Sequence, residues 1–259
     1  MTNAIFFDLD DTLLNDARSV ETALRKTCAF AESKARVEAN SLYEAIRLKA
    51  PEVYARYDAY PFTKKIGINP FEGLWGEFDD PSDGFRELKS IITHYQKTSW
   101  TEALQYCGIN DEQLGRQLAT TFRTERLANP FLFDDALPVL EELKESYELV
   151  LLTNGSPQLQ NIKLKLTPEL VPYFSTIIIS GEFGIGKPDP SIFEHALSLA
   201  GQKAQDVLMV GDNLMTDIKG ANATGITSVW LNREGKQPKV VRPDHEIASL
   251  DELKKLLPC

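Results

Sequence analysis

The chain has 259 residues, 42% hydrophobic and 25% charged, a globular balance that excludes intrinsic disorder, collagen-like repeats and low-complexity fibre. A net charge of −10 argues against a nucleic-acid partner, whose phosphates are gripped mainly by lysine and arginine. No apolar run approaches the ~18 residues of a membrane span, the N-terminus lacks a secretory signal, and Cys28, Cys107 and Cys259 form neither a disulfide framework nor a zinc pattern. A reduced, cytoplasmic protein without a membrane partner is expected, as monomer or homodimer.

The first element, Ala4–Leu9, is an apolar run without alternation, which suits a strand buried on both faces of a parallel sheet. Residues 17–50 carry apolar positions at helical spacing, such as Val20, Leu24 and Cys28, and Pro51 is expected to interrupt them. Between 60 and 84 the breakers Pro61, Gly67, Pro70, Gly73, Gly76, Pro81 and Gly84 are too dense for a long helix. Helical patterns resume over about 85–97 and 111–128.

From about 130 helices and strands alternate. Helices are expected at Asp135–Glu145, Pro190–Ala200 and Leu214–Thr224. Strands are expected at Glu148–Thr153, Thr176–Ser180 and Asp206–Gly211, with Thr227–Asn232 as the last. Asp189 before Pro190 is a side-chain cap followed by proline at the first helical position, and Gly225 suits a left-handed helix end. Such alternation implies βαβ units and hence a parallel sheet with helices on both faces, a Rossmann-like α/β fold. The helical middle is then an insertion after the first strand, giving a core of residues 1–14 and 130–259 and a helical cap of 15–129.

Residues 15–130 carry a net charge of −1, so nearly all the acid excess lies in the flanks, where some of it is available to hold a divalent cation. Open parallel sheets bind ligands beyond the carboxyl ends of their strands. The polar residues expected there are Asp8, Asp10 and Thr12; Thr153 and Asn154; Lys187; and Asp212, Asn213 and Asp217. Each group is weak alone, but four in order at one edge make a strong signal. Two decoys fall away. Gly181–Lys187 has the spacing of a nucleotide-binding loop, but Pro188 stands where Ser or Thr must bind Mg²⁺. Asp8-Leu9-Asp10 opens like a calcium loop but has Leu13 where glycine is required.

The segments around Asp8-Leu-Asp10-Asp-Thr12, Leu-Thr153-Asn154-Gly, Lys187-Pro-Asp-Pro and Gly-Asp212-Asn-Leu-Met-Thr-Asp217 resemble the four motifs of the haloacid dehalogenase superfamily, and residues 15–129 resemble its type-one cap. The resemblance implies a Mg²⁺-dependent phosphomonoesterase of small phosphorylated metabolites. Asp8 is then the nucleophile that forms an aspartyl-phosphate, and Asp10 the acid and base. Lys187, Thr153 and Asn154 would bind the phosphoryl group. The metal would be held by Asp8, Asp212 and the Asp10 carbonyl, with Asn213 and Asp217 orienting the metal shell or Lys187. Crowding by Asp8, Asp212 and Asp217 is expected to raise the Asp10 pKa while the metal opposes it. Halide leaves unprotonated, so the second acid points to phosphate esters rather than haloacids.

The cap would choose the substrate. Ile68-Asn-Pro-Phe-Glu-Gly-Leu-Trp75 resembles a bacterial subgroup with assigned phosphoserine phosphatase activity, which makes Arg47 or Arg56 candidates to grip a substrate carboxylate. The cap type also resembles those of nucleotide 5′-phosphatases and sialic-acid 9-phosphate phosphatases, where Trp75 or Phe71 would stack on a base or sugar. O-phospho-L-serine is the first expectation, with nucleotide or sugar phosphates as alternatives and a phosphomutase as a further one. A binding module without turnover is the alternative from another class.

Overall fold

A computed structural model describes residues 2–257, so Cys259 lies outside the described residues. The chain forms two compact units: Asp16–Pro130, and the segments before and after it. Among the described residues Cys28 and Cys107 are free thiols, and no helix is long and apolar enough to cross a membrane.

The unit Asp16–Pro130 is helical, with α1 (Asp16–Lys34), α2 (Ala39–Tyr54), α3 (Tyr60–Ile66), α4 (Pro70–Gly73), α5 (Asp83–Tyr106) and α6 (Glu112–Ala128). Helix α2 packs on α5, and α1 and α5 pack on α6. Two helix limits differ from those expected. Pro51 does not end α2, because it sits in the last turn, where Ala50, Val53 and Tyr54 are buried and the Ala55 N–H caps its carbonyl. Helix α5 runs past 97 through the weak helix formers Thr98-Ser99, because Trp100, Ala103 and Leu104 are fully buried; tertiary packing overrides propensity.

The second unit is a six-stranded parallel sheet. Its strands are β1 (Ala4–Phe7), β2 (Glu148–Thr153), β3 (Thr176–Ile179), β4 (Val207–Gly211), β5 (Thr227–Leu231) and β6 (His245–Ile247), in the order β3-β2-β1-β4-β5-β6. Its helices are α7 (Ala136–Leu143), α8 (Pro157–Leu166), α9 (Ser180–Phe183), α10 (Pro190–Ala200) and α11 (Lys219–Thr224). Alternate residues of each strand face opposite cores. Ile5, Phe7, Leu149, Leu151 and Val210 pack with Val139 and Leu140 of α7. Phe6, Val150, Leu152 and Met209 pack with Ile192 and Phe193 of α10. Both faces of the sheet are therefore covered, which is why its strands read as unbroken apolar runs.

Thr227–Asn232 is not the last strand. β6 follows it, three residues whose first two are exposed and polar, so no hydrophobic pattern betrays it. It is made instead by its ladder with β5 and by Asn232, which donates to Glu246 at 2.6 Å. The segment 214–224 also departs from a plain α-helix: Leu214–Ile218 is a π-helical turn that continues into α11.

Candidate active site

The four motif groups lie in the α/β unit. Strand β1 is wholly buried, and Asp8, 7% exposed, is the first polar residue beyond it; its N–H still donates to Val210 across the sheet. The chain then turns tightly, with the N–H groups of Leu13 and Leu14 both reaching the Leu9 carbonyl. Asp11 takes φ +58° in this turn, a conformation that Asp accepts more readily than most side chains.

Asp8, Asp212 and Asp217 each offer a carboxylate oxygen within 4.8 Å of the others. Between them stands Lys187, 4% exposed, whose Nζ lies 2.6 Å from Asp8 Oδ1 and 2.7 Å from Asp217 Oδ1, and donates to the Leu152 carbonyl at 2.7 Å. Thr12 donates to Asp8 Oδ2 at 3.2 Å and accepts from the Asp212 N–H at 3.2 Å, tying the first and fourth motifs together. The Asp212 carbonyl accepts from the Trp230 indole at 2.7 Å.

Three acids around one ammonium leave excess negative charge in a low-dielectric pocket. Burial, with Asp217 and Asp10 nearby, pushes Asp8 up to about 7 against the pull of Lys187. Asp212 is pushed up to about 9 by burial and by Asp217, Asp8 and Asp11. Lys187, although burial disfavours its charge, is held above its ordinary value by Asp217 and Asp8.

Glycines make this crowding possible. A Cβ on Gly211 would fall 2.3 Å from Asp217 Oδ2, and one on Gly186 would fall 2.6 Å from Asn154 Oδ1. The π-helical turn brings Asp217 back over Gly211, where its Oδ2 accepts from the Asn213 N–H at 3.1 Å.

Other expected residues have different engagements. The Asn154 side-chain amide is bonded to the backbone of Lys187, accepting from its N–H at 2.8 Å and donating to its carbonyl at 2.9 Å, and so braces the lysine. The Asn213 side chain caps the following turn through the Met215 N–H. Thr153, 1% exposed, accepts from Gln160 at 2.7 Å. Asp10 meets more than the acids expected around it: its Oδ2 pairs with Lys163 at 2.8 Å and accepts from Gln160 at 2.9 Å. Neither Gln160 nor Lys163 stood out in the sequence. The signal was there in Ser156-Pro157, a cap and first-turn proline that start α8 and place these residues three apart on one helix face.

The specificity candidates lie in the helical unit. Trp75 is only 1% exposed with the Arg126 guanidinium 4.9 Å from its ring, so it is a core residue and has no open face to stack on a ligand. Arg56 is committed to Glu102 by a two-point contact of 2.5 and 2.9 Å, which takes up the fork expected to grip a substrate. Arg47 donates to the Tyr43 hydroxyl at 3.1 Å and lies over its ring.

The model of the haloacid dehalogenase-like hydrolases matches residues 2–225. A phosphoserine phosphatase from Thermus thermophilus is 35% identical over 254 residues, covering 96% of each chain. An N-acylneuraminate-9-phosphatase from Mus musculus is 30% identical over 259 residues, covering 98% of this chain and 93% of that one. The crystal structure of the HAD-hydrolase YfnB from Bacillus subtilis, bound to magnesium, superposes with a TM-score of 0.69 at 24% identity over 100% of this chain and 99% of that one. With this sheet order, these four motif segments and this match over most of its length, the chain belongs to the haloacid dehalogenase-like hydrolases.

Proposed function

We propose that the protein is a Mg²⁺-dependent phosphomonoesterase of small phosphorylated metabolites, with O-phospho-L-serine as its substrate. The observation that carries this reading is the buried cluster of Asp8, Asp212 and Asp217 around Lys187, with a second acid, Asp10, two residues from the first. Residues 1–14 and 130–259 would perform the chemistry, and 15–129 would select the substrate.

The donor set fits a hard divalent cation, which takes oxygen ligands. Both Asp217 oxygens are engaged, by Lys187 and by the Asn213 N–H. Among the described residues the Asp212 carboxylate accepts no hydrogen bond and forms no ion pair, although burial raises the cost of its charge. As the family motifs imply, Asp8, Asp212 and the Asp10 carbonyl would hold the ion, with Asp217, paired with Lys187, orienting that lysine. When bound, Mg²⁺ supplies positive charge that offsets the repulsion between the attacking carboxylate and the phosphoryl oxygens.

The side chains then divide the work. The Asp8 carboxylate attacks phosphorus, forming its bond as the ester oxygen departs with the bonding pair. Lys187 balances charge on the phosphoryl oxygens, and the Thr153 hydroxyl donates to one of them. Asp10 gives its proton to the departing oxygen, then takes one from the water that hydrolyses phospho-Asp8 and restores both residues. A departing halide would need no such proton, so Asp10 favours phosphate esters.

The Thermus thermophilus relative supports phosphoserine. The mouse relative, matched over nearly the whole chain, favours a sialic-acid 9-phosphate as the second reading. Phosphate release from phosphoserine, sialic-acid 9-phosphate, nucleoside monophosphates and sugar phosphates, ranked by kcat/KM, separates them. Phosphoserine should rank first; a rank far below the others would remove that substrate and leave the chemistry. Asp8→Asn and chelation of Mg²⁺ should each lower release by a factor on the order of 10⁴ or more. An unmutated protein that binds these esters but releases nothing would be a binding module instead.

A further inference from the structure

We propose that Lys163 and Gln160 are positioning residues for Asp10, a clamp on one face of α8 that sets the direction of its carboxyl group. Lys163 is 3% exposed and Gln160 is fully buried, both polar groups that a helix face would ordinarily turn to water. Their donors converge on one atom: Lys163 Nζ lies 2.8 Å from Asp10 Oδ2, and Gln160 Nε2 lies 2.9 Å from the same oxygen. Two donors fixed on one carboxylate oxygen restrict the rotation of the group, which a single contact would not.

Gln160 also reaches Thr153 Oγ1 at 2.7 Å and the Asn154 carbonyl at 3.0 Å. One amide nitrogen thus links the acid at the end of the first motif to the hydroxyl at the end of the second. The local backbone is built to admit it. Ser156 caps α8, and Gly155, at φ +135°, brings its Cα so close that a Cβ would lie 3.1 Å from the Gln160 side chain. A buried lysine charge is expensive unless paired, and breaking such a pair by removing one partner leaves the other charge uncompensated. The same helix buries Leu159 and Leu164 without difficulty, so packing alone gives no reason for an amine at 163.

The inference rests on the phosphatase reading, in which Asp10 serves the departing oxygen. Its consequence is that loss of the clamp harms esters whose leaving oxygen must be protonated more than esters whose leaving group departs readily as an anion. The test compares Lys163→Met and Gln160→Met, each alone and combined with Asp10→Asn, on phosphoserine (or the best alkyl phosphate of the panel) and on p-nitrophenyl phosphate.

With Asp10 present, Lys163→Met should lower kcat on the alkyl ester by roughly 10- to 100-fold, the scale of a misaligned catalytic group, with KM within about threefold. The loss on p-nitrophenyl phosphate should be about tenfold smaller, because a weakly basic leaving group asks less of a general acid. Lys163→Arg should recover part of the loss. In the Asp10→Asn background Lys163→Met should not lower the residual rate further, as expected of residues that act through one another, whereas Gln160→Met keeps a smaller loss through Thr153. Equal losses on both esters, a full further loss without Asp10, or a rise in KM at constant kcat would each overturn the proposal. A substitution that merely unfolds the chain gives the second of these. If the unmutated protein hydrolyses no ester, the phosphatase reading falls; if it does and Asp10→Asn impairs it while both Met variants stay active, only the clamp falls.

Discussion

In the α/β unit Lys187 is 4% exposed and shared between Asp8 and Asp217, with the carboxylate of Asp212 close by. In the helical unit Arg126 is 3% exposed, paired with Asp16, and laid over the Trp75 ring. Both are buried cations, yet the first sits in an unbalanced cluster and the second is paired with Asp16 and stacked on Trp75. Imbalance is costly in a folded core, so its presence makes the first cluster the candidate site, whereas the Arg126–Asp16 pair serves packing. In the same unit the Arg56 guanidinium is paired with Glu102, and the Trp75 ring lies against Arg126.

The comparison predicts where each unit breaks. Arg126→Ala should cost the most stability, about 3–5 kcal/mol, because it strands a buried carboxylate and empties space over Trp75. Urea denaturation measures the loss, and a change below 1 kcal/mol would refute the structural reading of that pair. Gly211→Ala should act on the other side of the contrast, forcing Asp217 away from Lys187. A displacement near 1 Å lowers kcat by roughly 100-fold, and phosphate release with Mg²⁺ measures it.

A third, smaller effect separates structural charge in the α/β unit from its reactive cluster. Asp135 is held in a fork by Arg233, at 2.8 and 2.9 Å, and accepts from the Leu250 N–H. Burial opposes its charge, but Arg233 and the Leu250 N–H prevail and hold its pKa below the ordinary value. Its stabilisation is thus present above the unfolded pKa of about 3.9 and is lost as pH falls through the lower folded value. Asp135→Asn should cost roughly 1.5–3 kcal/mol at pH 7, and the gap in melting temperature from the unmutated protein should narrow below about pH 4. The smallest effect belongs to Arg56→Ala: an exposed pair contributes about 0.2–1 kcal/mol, and KM for phosphoserine should not move. A large rise in KM would return Arg56 to the substrate.

Much of the architecture was legible because the signals are local. Four buried residues in a row announce β1, and the first acid beyond them lands at the sheet edge; the same logic placed Thr153 and Asp212. Caps worked equally well at Asp189, which accepts from the Ser191 N–H, and at Gly225, with φ +74°. These features depend on neighbours a few residues away, whose geometry the chain cannot avoid.

What only the tertiary structure decided is partnership. Residues 153 positions apart meet at Asp10 and Lys163, and 46 positions separate Arg56 from Glu102. Strand β6 exists because β5 offers an edge, not because His245-Glu-Ile has a pattern. A periodic sequence specifies which face of an element is buried, but what that face touches depends on the packing of the elements. Hence the order of the four motif groups at the candidate site could be read along the chain, while the contacts of Asp10 with Lys163 and Gln160, the brace on Lys187 and the burial of Trp75 required the folded molecule.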